Sequence, residues 1–450
     1  MLHSVIRSAL IGALLVLVIV ISARHAESTP IQTVFVVAME NHNWTQPANQ
    51  FTGNIQQVFQ NPNAPFISSL VNGTANAVIN GSPTNISSQV AYTSNYHSVL
   101  ATPSGNNLHI HPSEPNYIWA EAGTNFGVLN DNDPFRVPGG TNQNTHFHLS
   151  NFLTLAGKTW KSYQEDIDLT TVSGKLTNTV LPQSQWTAPI TSFAGTFSSG
   201  VNAFNGTGQF DYAAKHNPQV FFTDTNGGNN GTPSNPLSKN YAPLQQLLND
   251  LQSNTVAQYN WITPDQFNDM HTTLAGGYVP LGGGAALTGD PGRIRQGDDF
   301  LKQLVPIIMA SPAYQNDGAI VLWWDESEGD GVAGDNADDF NHTIGEIVIS
   351  PDAHPNINGL PYGSPLNYTH SSDLRTMQEI FNVGPYLGDA ANALDLSDLF
   401  VAGAIPNGFS FIAAVPEPPL LFAFSLGLGA VAFIRRRHSK SGFDLFRPWG

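Results

Sequence analysis

The chain has no cysteine. Disulfides and thiolate metal sites are therefore excluded, and any bound metal must be held by oxygen and imidazole. Charge is also scarce, at 11% of 450 residues, and the basic kind is the scarcer, with 17 Lys and Arg against 34 Asp and Glu. Seven of those 17 lie outside 28–415, so the body of the chain is more acidic than the overall net charge of −17. Such a body repels nucleic acid and anionic membrane surfaces, and no nucleic-acid partner is expected. An anionic small molecule remains open as a substrate if bound cations reverse the local field. Low charge does not imply disorder here, because 41% of the residues are hydrophobic. No repeat of solenoid length is present.

Long apolar runs are confined to the two ends. Residues 1–26 carry His3 and Arg7, the apolar stretch Ala9 to Ile21, then Ser22-Ala23. This is the layout of a secretory signal peptide, which if uncut would remain as an N-terminal anchor. At the other end, Pro416-Glu417-Pro418 precedes an apolar run from Leu420 to Ile434 and the cluster Arg435-Arg436-Arg437. This three-part tail resembles the sorting signal of PEP-CTERM proteins. The resemblance implies export in a bacterium, a transient inner-membrane anchor and processing by an exosortase-type peptidase. A plain C-terminal membrane anchor is the simpler alternative. The expected organisation is a signal peptide at 1–26, one domain at 28–404 and a linker at 405–414. A sorting signal with a transmembrane helix at 415–438 and a short cytoplasmic tail at 439–450 follow.

Between the ends, apolar β-favouring runs alternate with stretches of helical spacing. Strands are expected at 33–39, from 158, at 218–222, 256–262, 318–324 and 345–350. Helices are expected at 66–71, after 111, and at 242–253, 300–309 and 371–382. Residues 72–110 read as a polar excursion, 167–210 as an insertion without clear period, and 273–297 as a Gly-rich loop. This alternation predicts an α/β fold, with a mainly parallel central sheet flanked by helices and interrupted by long loop insertions.

Three of the expected strands end in carboxylates or amides. Glu40-Asn41 follows the first; Asp265, Asn268, Asp269 and His271 follow 256–262; Asp325-Glu326 follows 318–324. Parallel strands would deliver these groups to one sheet edge, where open α/β sheets bind ligands. The set is rich in oxygen with one imidazole, which suits one or two hard or borderline divalent cations. Ser113, in HPSEPNY at 111–117, fits a helix N-cap, with Pro115 in the first turn. A helix start favours a phosphate, and a serine beside a metal can act as a nucleophile. An ordinary capping serine is the bland alternative.

The ordered set ENHNW at 40–44, HPSEPNY at 111–117, TPDQFNDMH at 263–271, WDESEG at 324–329 and NH at 341–342 resembles the phosphoesterase family. That family holds bacterial acid phosphatases and phospholipases C, with a fold similar to that of alkaline phosphatase. KHNPQVFF at 215–222 also looks family-like. The resemblance implies Ser113 as nucleophile, and Glu40 and Asn41 at the metal or the phosphate. Asp325 and Glu326 would be metal ligands, and Asn116 would position the phosphate or the serine loop. Asp269 and His271 would bind phosphate or metal or assist the leaving group, and His342 would contact a metal or the phosphoryl oxygens. The phosphatase branch often has two aspartates where this chain has Asp325-Glu326. The phospholipase branch usually lacks the HPSxPNY form, so the chain leans toward the phosphatase branch, with a small phosphate monoester as substrate. A phosphodiesterase or phospholipase C is the alternative within enzymes; a non-catalytic envelope or matrix-binding protein is the alternative outside them.

Several polar residues carry weaker signals. His97, His109, His111, His146 and His148 are candidate ligands. Trp323 and Trp324 read as packing residues rather than a substrate platform. The acidic stretch 325–339 does not match EF-hand spacing and reads as a solvated loop.

Overall fold

In the computed structural model, the first apolar run is a strand, Thr33–Met39 (β1), with six of its seven residues buried. The structure describes residues 29–406, apart from 47, 99–110, 136–138, 199–201, 205 and 329–341. The other strands of the central sheet are β2 (Val90–Thr93), β3 (Trp160–Gln164), β4 (Tyr241–Pro243) and β5 (Tyr259–Thr263). They are followed by β6 (Gly318–Trp324), β7 (Glu346–Ile349) and β8 (Tyr362–Ser364). Across the sheet the order is β4-β3-β5-β1-β6-β7-β2-β8. The first five are parallel, β7 runs antiparallel to both β6 and β2, and β8 is parallel to β2.

The register decides where the chemistry emerges. Met39 pairs with Trp324, and Val37 with Ile262. Three adjacent central strands therefore end at nearly the same level, and the loops after β1, β5 and β6 leave one edge together. Every residue of β6 is buried, so both faces of the sheet are covered.

The helices are α1 (Pro65–Asn72), α2 (Glu114–Ala122), α3 (Leu149–Leu155), α4 (Leu244–Ser253), α5 (Asp290–Met309), α6 (Pro312–Gln315) and α7 (His370–Phe381). They fall into two packing groups: α2 with α3 and α7, and α1 with α5 and α6, which α4 joins through α6. Trp323 and Trp324 are at most 1% exposed, so both are packing residues as expected.

Several expectations need correcting. Residues 218–222 are not a strand: Pro218–Phe221 is a 3₁₀ turn, buried all the same. Proline has no N–H for a ladder and fits the first turn of a helix, so burial without sheet pairing is the outcome. The expected loop 273–297 ends early, because α5 already starts at Asp290. Gly292 and Gly297 weaken the helical signal there. Gly297 is needed for close packing, since a Cβ on it would lie 2.4 Å from Met270 Cγ. The excursion 72–110 contains a hairpin (Asn76–Ile79 with Ser82–Asn85) and β2. The insertion 167–210 holds a second hairpin and one strand of a third, around a small core of Leu169, Leu176, Phe197 and Phe210. Among the described residues no helix is long and apolar enough to cross a membrane; the runs 9–21 and 420–434 lie outside them.

Candidate active site

The sheet edge carries a cluster of four buried carboxylates around one serine. Glu40 follows β1, Asp325 and Glu326 follow β6, and Asp269 lies in the loop after β5; all are at most 1% exposed. The loops are tied to each other through the backbone. Glu40 N donates to Asp269 O at 2.8 Å, and Asp325 N donates to Met39 O at 3.1 Å.

Ser113 occupies the position before α2, but its side chain does not cap the helix. Its hydroxyl faces Glu40 Oε2 at 3.0 Å and Glu326 Oε1 at 3.2 Å. The capping alternative is thereby overturned: the oxygen that would have served the helix serves two carboxylates from two different strand ends. Glu326 gathers the amides, with Asn41 Nδ2 donating to Oε1 at 2.8 Å and Asn116 Nδ2 to Oε2 at 3.1 Å. Asn41 N also donates to Asp325 Oδ1 at 3.1 Å. His111 Nδ1 lies 3.0 Å from Glu326 Oε2, at the more open side of the cluster.

Two residues that the sequence did not single out complete the site. His216 lies between Glu40 and Asp269, with Nε2 3.2 Å from Glu40 Oε1 and Nδ1 3.2 Å from Asp269 Oδ2. Neither contact has hydrogen-bond geometry. Lys215 Nζ lies 3.4 Å from His271 Nε2 and donates to Asp131 Oδ2 at 3.1 Å. The available signal was the Lys-His pair at the head of 215–222 in a chain poor in basic residues. Tyr117 donates to Glu40 Oε1 from within α2.

The electrostatics follow from burial. Desolvation first, then repulsion from Asp325, pushes the Glu40 pKa well up, with Lys215 and the Tyr117 hydroxyl opposing. Desolvation and the neighbouring Glu326 do the same to Asp325, and desolvation raises Glu326 although His111 opposes it. Asp269 is raised by burial and by Glu40. Burial disfavours charge on Lys215, yet Glu40 and Asp131 outweigh it and raise its pKa. His271 is held down to about 3, chiefly by burial and then by Lys215 and Arg293, and His216 is lowered well below the ordinary imidazole value by burial, then by Lys215 and His271. Both imidazoles are therefore neutral, the form in which histidine ligates metals.

The residues present fit a divalent cation. Asp325 Oδ2, Asp269 Oδ2, Asn41 Oδ1 and both His216 nitrogens are buried with no hydrogen-bond partner. Ligand atoms of Glu40, His216 and His271 lie within 4.8 Å of one another. One ammonium group cannot offset four carboxylates, and buried unpaired charge is strongly unfavourable. The neighbouring set His42, Asp290 and Glu328 is different, because Arg293 pairs with both carboxylates and closes it as an ion-pair network.

The remaining candidates are placed as follows. His342 is buried, and its carbonyl accepts from His97 Nδ1 at 3.1 Å. His148 is buried between Glu121 and Asp224, and His146 pairs with Asp224. His109 and most of the acidic stretch 325–339 lie outside the described residues.

The chain is similar to known proteins. "Probable acid phosphatase" of Kluyveromyces lactis is 24% identical over 300 residues, which are 65% of this chain and 56% of that protein. An acid phosphatase of Aspergillus fumigatus is 28% identical over 169 residues, 36% of this chain and 28% of that protein. The chain thus spans about half, or less, of the length of these relatives. Among solved structures it is similar to a protein in the alkaline phosphatase superfamily from Vibrio parahaemolyticus. The TM-score there is 0.38 at 11% identity, covering 83% of this chain and 73% of the other. The phosphoesterase family matches residues 22–384, a span that starts before β1 and ends beyond α7. With every strand end of the carboxylate cluster and Ser113 inside that span, the chain belongs to the phosphoesterase family.

Proposed function

We propose that this protein is an exported, metal-dependent phosphatase that hydrolyses small phosphate monoesters with Ser113 as nucleophile. The observation that carries the reading is the position of the Ser113 hydroxyl, 3.0 Å from Glu40 Oε2 and 3.2 Å from Glu326 Oε1, at the start of a helix. Family membership and the similarity to acid phosphatases support the reaction class.

The cation would be held by Glu40, Asn41, Asp325 and Glu326, with His216 and His271 within reach. When bound, it would supply Lewis-acid polarisation of a phosphoryl oxygen and offset the negative charge of the cluster. The chain's own residues do the rest. Glu40 or Glu326 accepts the proton of Ser113 as its oxygen attacks phosphorus in line and the bond to the ester oxygen breaks; the departing alkoxide takes a proton from solvent, giving a phosphoserine and a free alcohol. Water then releases phosphate and restores the serine. Lys215 places a positive charge beside His271, where it would attract an anionic phosphate. Asn41 and Asn116 hold Glu326 in the orientation that faces Ser113. The neutral His271 favours an accepting role over donation to the leaving group.

Export rests on the two ends of the chain: the signal-peptide layout at 1–26 and the PEP-CTERM-like tail at 415–438, which an exosortase-type peptidase would process. The envelope or the extracellular space is the proposed location.

The test is turnover of p-nitrophenyl phosphate by Ser113→Ala. We expect a loss of at least about 100-fold in kcat with an unchanged circular dichroism spectrum. Near-normal turnover in that variant would remove Ser113 from the mechanism.

A further inference from the structure

A second acidic cluster lies behind the loop that carries Asp269 and His271. Glu165 and Asp166 follow β3, and Asp265 follows β5, the neighbouring strand. One oxygen from each residue lies within 4.8 Å of the others. The three residues are at most 1% exposed. Among the described residues, no Lys, Arg or His pairs with any of them.

Part of the cluster is well supplied with donors. Glu165 accepts from Asn202 Nδ2 at 2.6 Å, from Asn268 Nδ2 at 2.9 Å and from Asp265 N at 2.8 Å. Asp265 Oδ1 accepts from Phe267 N at 3.1 Å and Asn268 N at 2.8 Å. The rest of it is not. Both oxygens of Asp166 and Oδ2 of Asp265 are buried without a well-formed hydrogen bond, and only the Asp211 backbone and the Asp166–Asp265 contact partly offset the charge of Asp166. Buried carboxylate oxygens that lack donors call for a cation or a proton.

The ligand chemistry narrows the choice. All donors are oxygens, and no imidazole is within the set, which disfavours zinc and copper and suits a hard cation. Calcium binds oxygen at about 2.3–2.6 Å, so two of its ligands lie at most about 5 Å apart, which the triad satisfies. We propose that Glu165, Asp166 and Asp265 form a structural site for a calcium-type divalent cation, separate from the catalytic cluster. Its role is positioning. Asp265 turns the chain at 265–268, and Asn268 is held by Glu165 on one side and Gln296 on the other. Asp269 and His271 follow directly. A cation on the triad fixes this loop from behind, without sharing a ligand with Ser113's carboxylates. The rival is a single proton shared between Asp166 and Asp265. The inference does not depend on the phosphatase reading.

The experiment uses the full chain, stripped with a chelator and then dialysed against calcium. Bound calcium and the unfolding midpoint are measured for the wild type, Asp166→Asn and Asp325→Asn. We expect calcium to raise the wild-type midpoint by about 5 °C, as mass action on a native-state site would. Asp166→Asn should lose one equivalent of calcium and that rise, while Asp325→Asn, altered in the catalytic cluster, should keep both. If Asp166→Asn does not fold, Asp265→Asn replaces it, since its remaining oxygen still accepts from Phe267 and Asn268. Equal calcium content and equal midpoint shifts in the wild type and the triad variant overturn the proposal. So does an Asp325→Asn chain that binds no calcium, the outcome that a shared proton demands.

Discussion

The ring of Tyr117 lies against the imidazole of His216, with centroids 5.1 Å apart and planes 16° from parallel. The same tyrosine donates its hydroxyl to Glu40, so one side chain from α2 orients a histidine and a carboxylate of the cluster together.

This double role separates under mutation. Tyr117→Phe keeps the stack and removes the hydroxyl, which is one of the influences that lower the Glu40 pKa. Without it, Glu40 ionises only at higher pH. The acid limb of the kcat/KM profile should move to higher pH, with the fold unchanged. An unshifted acid limb would show that Glu40 ionisation does not limit the reaction.

Asp325 offers a cleaner probe of the metal reading than Glu326, because only one of its oxygens is engaged. Oδ1 accepts from Asn41 N, and Oδ2 has no partner. Asp325→Asn can keep the first contact and loses a buried charge whose pKa burial and Glu326 push well up. We expect phosphatase activity to fall at least about 100-fold and the divalent-ion concentration for half-activation to rise. In chelator, the variant should unfold at a higher temperature than the wild type, since no cation then offsets the removed charge. A variant less stable in chelator than the wild type would argue against an uncompensated charge at Asp325.

Asp298 gives a pH dependence of stability away from the site. Its carboxylate accepts from Phe66 N and Ile67 N at the start of α1, yet burial pushes its pKa up to about 7. The unfolded value is about 4, so between these values the native state holds a proton that the unfolded chain has lost. This contribution to stability is fully present below about pH 4 and is lost as pH rises through about 7, at most on the order of 4 kcal/mol. Denaturant midpoints for Asp298→Asn should therefore decline less steeply between pH 5 and 8 than those of the wild type. Parallel slopes would assign the decline to other groups.

Gly297 tests the support of the catalytic loop from α5. An alanine Cβ there would meet Met270 Cγ at 2.4 Å and Met39 Cε at 3.0 Å. Met270 has a φ of 85° and lies between Asp269 and His271. Alanine improves helix propensity by roughly 1 kcal/mol, but overpacking costs about 1–3 kcal/mol. Gly297→Ala should thus destabilise modestly and lower kcat, because Met270 can yield only by moving its neighbours. Chemical denaturation and p-nitrophenyl phosphate kinetics on the same sample read both effects.

The parts of the site that were legible in the sequence are those built by strand ends. Glu40, Asp325 and the Asp269 loop each follow an apolar run that stops abruptly at polar residues, and parallel register then aligns them. Ser113 was legible as a helix start, though the direction of its side chain was not. His216 and Lys215 were hidden because they sit on a 3₁₀ turn, whose position comes from packing beneath Tyr117 rather than from any periodic pattern. The edge strands β4 and β8 were missed for a related reason, since three residues carry no readable period. The start of α5 was obscured by glycines that packing, not helix propensity, requires.

Those two short edges matter beyond the fold. An open sheet of eight strands would ordinarily present two rows of unpaired backbone groups to other chains. Here one margin is the three residues of β4, and Pro243 among them has no N–H to offer. The other is the three residues of β8, whose Ser364 hydroxyl is engaged with Asp398. The sheet therefore gives little template for intermolecular strand addition, and aggregation of the folded protein by that route is blunted at both margins.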